Sequence, residues 1–87
     1  MATVMYKYVL NPYTSKIQMP KNAEILHVVS QQDKICLWAE IDPSAEPEYR
    51  FFEVFGTGRD IPAGNRKYFG TVKMSDDQLI FHVYEKL

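Results

Sequence analysis

The stretch Gly56-Thr57-Gly58-Arg59 brings together residue types that could hold a ligand, and Arg66 and Lys67 follow it closely in the chain. Glycines let consecutive backbone N–H groups turn toward one point and cradle an anion, and nearby cations would add charge. Gly56, Thr57, Gly58, Arg59, Arg66 and Lys67 are therefore the candidate ligand-binding set. The stretch lacks the lysine spacing of a phosphate loop, and no helical pattern follows it to supply a dipole. The simpler reading is a tight turn with positive φ at the glycines that opens a long loop.

The remaining reactive side chains are scattered. His27 and His82 fall in different apolar runs with no Cys or carboxylate at a ligand spacing, so structural histidines are expected and no metal site is assigned. Cys36 is flanked by Ile35 and Leu37, where an inert buried thiol is expected rather than a nucleophile. Asp42, Glu46 and Glu48 crowd one loop and Asp76 and Asp77 another, which solvated loop charges explain. Paired carboxylates can cleave glycosides, but that chemistry needs a cleft that a chain this short rarely builds. No catalytic residue and no cofactor are assigned. Exposed aromatics on a sheet could stack the bases of a single strand, and Tyr6, Tyr8, Trp38, Tyr68 and Tyr84 are the candidates, although a core and its rim also account for them.

These side chains must be positioned by strands. Lys34-Ile35-Cys36-Leu37-Trp38-Ala39-Glu40-Ile41 puts Ile35, Leu37, Ala39 and Ile41 on one face of an extended chain and Cys36, Trp38 and Glu40 on the other, so it reads as the central strand. Residues 4–10, 15–19, 24–30, 49–55, 68–74 and 79–85 read as further strands, separated by Asn11-Pro12, Pro20-Lys21-Asn22, Gln31-Gln32-Asp33, residues 42–48, residues 56–65 and Ser75-Asp76-Asp77. Pro47 argues against a regular strand through its own position. In the run Tyr49 to Phe55 few polar residues interrupt the apolar ones, which predicts cover on both faces. About seven short antiparallel strands in a small sandwich or partly open barrel are expected, with edges available for pairing between copies and hence a homo-oligomer.

Composition sets the outer limits. Eighty-seven residues fit one domain, and 46% hydrophobic with 14% aromatic residues makes disorder improbable. A net charge of −1 without like-charged blocks argues against duplex nucleic acid as the main ligand. One cysteine rules out an internal disulfide, and no apolar run approaches the roughly 20 residues that span a bilayer, so an intracellular protein off the membrane is expected.

In order along the chain, Leu37-Trp38-Ala39, Asp42-Pro43, Phe55-Gly56-Thr57-Gly58, Ile61-Pro62, Tyr68-Phe69-Gly70-Thr71-Val72 and Phe81-His82-Val83-Tyr84-Glu85 resemble short proteins encoded by tailed bacteriophages and prophages. The resemblance runs from about Tyr6 to Glu85 and rests on turn and core residues, so it carries no catalytic residue. It implies a host bacterial cytoplasm and a non-enzymatic accessory role, binding a host protein and inhibiting host defence. Two other roles follow from the same setting. One is a sponge that sequesters a small anionic nucleotide at an oligomer interface near Gly56–Arg59 and Arg66. The other is a minor virion or assembly component.

Overall fold

A computed structural model describes residues 2–76 and 78–87. Seven antiparallel strands form two sheets, with no helix among the described residues: β1 (Val4–Leu10), β2 (Thr14–Pro20), β3 (Glu24–Gln31), β4 (Lys34–Ile41), β5 (Pro47–Gly56), β6 (Arg66–Met74) and β7 (Leu79–Lys86). One sheet has the order β1-β4-β3 and the other β2-β5-β7-β6, and neither closes into a barrel. The strand period of two explains the layering. Ile35, Leu37, Ala39 and Ile41 of β4 are all buried against Phe52 and Val54 of β5, Val72 of β6 and Val83 of β7, with Leu10, Met19 and Val28 completing the core. Each fully buried large side chain, Phe52 and Leu37 among them, contributes roughly 1.5–3 kcal/mol.

Three connections cross between the sheets, β1–β2, β2–β3 and β4–β5, and the other three stay within one sheet. Asn11-Pro12-Tyr13 carries the chain from β1 to β2 in the other sheet, and the Asn11 N–H donates to Ser15 Oγ at 2.8 Å. β3 and β4 form a hairpin whose two loop residues, Gln32 and Asp33, both have positive φ of 52° and 58°, the arrangement of a type I′ turn. β6 and β7 form the second hairpin; its turn contains Asp77, which lies outside the described residues. The sheets approach most closely where β3 lies over β6, and there Gly70 leaves no room for more: a Cβ on it would sit 3.3 Å from Val28 Cβ.

Two expectations are corrected. Pro47 does not interrupt a strand but opens one, pairing with Pro20 at the end of β2, where a missing N–H costs no interior ladder bond. β5 is not covered on both faces. Phe52 and Val54 point into the core, whereas Tyr49 and Phe51 remain 55% and 48% exposed on the outer face, because nothing described packs over that side of the sheet.

An arginine is held inside this apolar frame. Arg50 donates from Nε and Nη2 to the two carboxylate oxygens of Glu85, each at 2.7 Å, and from Nη1 to the Ala23 carbonyl at 2.6 Å. Hydrogen bonding to Glu85 raises the already high pKa of the guanidinium, which stays charged.

Candidate functional site

The turn at Gly56–Arg59 is built like a type II turn. Arg59 N–H donates back to Gly56 O at 3.1 Å, and Gly58 takes the left-handed φ of 87° that position requires. Only Gly58 of the pair has positive φ, since Gly56 still belongs to β5. Thr57 N–H donates to Ile80 O at 3.2 Å, so two of the amides that would cradle an anion are spent inside the fold. The cations do not gather behind the turn either. Arg66 is tied to Glu53 through Nε at 2.7 Å and to the Pro62 carbonyl through Nη1, with its guanidinium 5.5 Å from the centre of the Phe55 ring. Lys67, the next residue, falls on the opposite side of the strand and lies over Phe69. Arg59 is exposed beside an open groove of about 450 Å³ shared with Tyr13, Phe55, Asp60 and Pro62.

The histidines are separated by the whole thickness of the molecule. His27 stands opposite Trp38 on the outer face of the three-stranded sheet, edge-on to the indole with ring centroids 6.4 Å apart. His82 lies on the outer face of the four-stranded sheet. Its Nε2 is 2.8 Å from Thr57 Oγ1 and its Nδ1 is 2.9 Å from Thr71 Oγ1, whose hydroxyl also bonds Tyr68 OH. A neutral imidazole donates from one nitrogen and accepts at the other, and threonine hydroxyls can meet either need. The ring therefore fastens the 56–59 turn to β6. Cys36 is buried beneath the cross-strand neighbours Val9 and Val29. Asp42 accepts from the Ser44 hydroxyl at 2.7 Å and the Ser44 N–H at 3.0 Å, and Glu46 meets Lys21 at 3.8 Å in solvent. Among the described residues no three His, Cys, Asp or Glu side chains gather in a way that would hold a metal. No helix among them is long and apolar enough to cross a membrane.

The five aromatics singled out from the sequence lie on three different surfaces. Trp38 is on the outer face of the three-stranded sheet, while Tyr6 and Tyr8 face the inner side of the β1 margin. Tyr68 and Tyr84 lie together on the outer face of the other sheet, ring centroids 5.3 Å apart, and Phe55 meets Tyr84 at 5.8 Å.

That outer face is ordered in rows set by strand register. One row reads Lys16, Phe51, Lys86, Arg66 across β2, β5, β7 and β6; the next reads Thr14, Glu53, Tyr84, Tyr68; the third reads Phe55, His82, Thr71. Phe51 thus stands between two lysines, and Lys16 Nζ also lies 4.4 Å above the Tyr49 ring. A shallow groove of about 350 Å³ runs beside it, bounded by Thr14, Lys16, Glu53 and Lys86. Lys16, Phe51 and Lys86 were missed from sequence because they are distant in the chain and only the β2-β5-β7 order makes them neighbours. The available signal was the run of aromatics at alternate positions 49, 51 and 55.

No curated protein and no solved structure matches the chain. The profile of one family does, the Domain of unknown function (DUF7352), over residues 1–87. The chain belongs to that family.

Proposed function

We propose that the chain is a non-catalytic binding protein that engages its partner with the outer face of the β2-β5-β7-β6 sheet. Its setting in this reading is that of a phage accessory protein directed at a component of the bacterial host, with interference in host defence as the outcome. The observation that carries the reading is the face itself. Tyr49, Phe51 and Tyr68 are each about half exposed, yet they are fixed on a hydrogen-bonded strand lattice rather than on mobile loops. Tyr68, Tyr84 and Phe55 join in ring contacts on this face, a contiguous apolar patch of the kind that marks an interaction surface, and rigid rings lose little entropy on binding. The side chains most able to run a reaction have other duties: Arg50 holds Glu85, Arg66 holds Glu53, and His82 joins two threonines.

The test is native mass spectrometry of the protein expressed in bacteria and recovered gently at low salt, beside a Phe51→Ala/Tyr68→Ala variant shown to be folded by circular dichroism. A bound component at fixed stoichiometry, lost from the variant, is the expected result. Recovery bare in both forms, or turnover of a substrate at substoichiometric protein, overturns the proposal.

A further inference from the structure

Charge is distributed unevenly over the two outer faces. On the three-stranded sheet Lys7 and Lys34 are balanced by Glu24 and Glu40. On the four-stranded sheet Lys16, Arg66, Lys73 and Lys86 stand against Glu53, and Glu53 is neutralised by Arg66 at 2.7 Å. A chain with net charge −1 therefore concentrates its positive surplus on the face that also carries Tyr49, Phe51, Phe55, Tyr68 and Tyr84. Protein–protein interfaces deplete lysine from their centres. Here lysines flank the exposed ring on both sides, in the same cross-strand row. That alternation of flat apolar ring and cation matches a ligand whose own flat groups alternate with anions.

We infer that this face binds single-stranded nucleic acid, with a base stacked on Phe51 and backbone phosphates held by Lys16 and Lys86. The inference rests on reading the same face as the binding surface. Stacking needs bases freed from a partner strand, which a duplex does not offer, and the face of a four-stranded sheet is too broad to enter a groove. Tyr84 and Tyr68 extend the stack across β7 and β6, and Tyr49 extends it along β5 toward Lys16. Lys73 lies beyond Thr71 on β6 and supplies a third phosphate contact.

The experiment is fluorescence anisotropy of the full chain with labelled oligothymidylate and oligouridylate of about 12 nucleotides, a length within ordinary site sizes. Binding of either is expected. With three lysines on phosphates, log affinity falls against log salt with a slope near −2, at about 0.7 per phosphate. Phe51→Ala weakens binding roughly 5- to 150-fold, the loss of one stacked base, while Phe51→Trp retains it. Lys16→Ala/Lys86→Ala flattens the slope by about 1.4. Should Phe51→Ala fail to fold, Phe51→Leu keeps the apolar bulk but not the stacking plane and is expected to weaken binding as well. No binding of either oligonucleotide with about 100 µM protein at about 50 mM salt overturns the inference, as does equal affinity for duplex or unchanged affinity in both Phe51→Ala and Phe51→Leu. If oligonucleotides fail but protein from cells still carries a component lost with Phe51 and Tyr68, the ligand class is wrong and the binding face stands. If both fail, both are wrong.

Discussion

Glu85 and Arg50 show what a charge must find in order to stay inside a small sheet protein. Both oxygens of the carboxylate are taken by the guanidinium, and the third arm of the fork is taken by the Ala23 carbonyl. Removing one partner of such a pair leaves the other charge uncompensated, which typically costs 3–5 kcal/mol when burial is deep. With the two side chains 16% and 10% exposed, Glu85→Ala is expected to cost about 3 kcal/mol in urea unfolding; a loss below about 1 kcal/mol would show that water takes over the guanidinium. Asp42 is the opposite case, a surface carboxylate. The Ser44 hydroxyl first and the Ser44 N–H second hold its carboxyl below the ordinary value of 3.8. A group depressed in this way lends stability that is present above its unfolded pKa and is lost as the pH falls through the lowered value. In a carbon-13 titration the Asp42 midpoint should lie below 3.8 and should climb toward it in Ser44→Ala; an unmoved midpoint would deny the hydroxyl any part.

At the scale of the elements, hairpin β3–β4 has the right turn shape with the wrong residues. Gln32 and Asp33 both occupy the left-handed region, where a side chain costs roughly 1–2 kcal/mol and where Asn-Gly is the preferred pair. Gln32→Asn/Asp33→Gly is expected to stabilise by about 1 kcal/mol and to raise Tm by roughly 4–8 °C. A lower Tm would mean that the native side chains make contacts worth more than the strain. The strands themselves were legible: alternation in 34–41 put Ile35, Leu37, Ala39 and Ile41 on one face, and the structure turns that face inward with each of the four buried. Three things were not. Pro47 reads as a breaker until its place opposite Pro20 is known, because the same residue is tolerated at the start of a strand and excluded from its middle. The apolar content of 49–55 likewise predicts cover on both faces, since alternation tells which residues share a face but not whether that face has a neighbour. The face with Phe51 between Lys16 and Lys86 depends on strand order, which short-range pattern does not encode.

At the scale of the whole molecule, the two sheets of the described residues have four edges, and three of them carry a deterrent to pairing. β3 shifts register between Ile25 and His27, β6 shifts between Tyr68 and Gly70, and β2 carries Lys16 and ends on Pro20. β1 has neither bulge nor proline, its Lys7 reaches back to Gln31 at 3.1 Å, and Met5 and Val9 stand about half exposed beside its free margin. Unprotected edges of this kind pair readily with another copy. Sedimentation is expected to show concentration-dependent dimers that Met5→Lys/Val9→Lys disperses; a wild-type chain monomeric at all concentrations would remove this expectation.

The same margin has a kinetic side. Cys36 is shielded on its own face by Val9 of β1 and Val29 of β3, and β1 is hydrogen-bonded to β4 alone. If β1 peels away, the thiol meets solvent while β3, β4 and the other sheet remain in place. Ellman's reagent would then read the opening of a single strand, and the labelling rate should exceed the global unfolding rate by a factor that grows when Val9 is trimmed to alanine. Equal rates would mean that β1 leaves only when everything does. The buried cysteine is in this sense a built-in stopwatch for an edge strand held by a single neighbour.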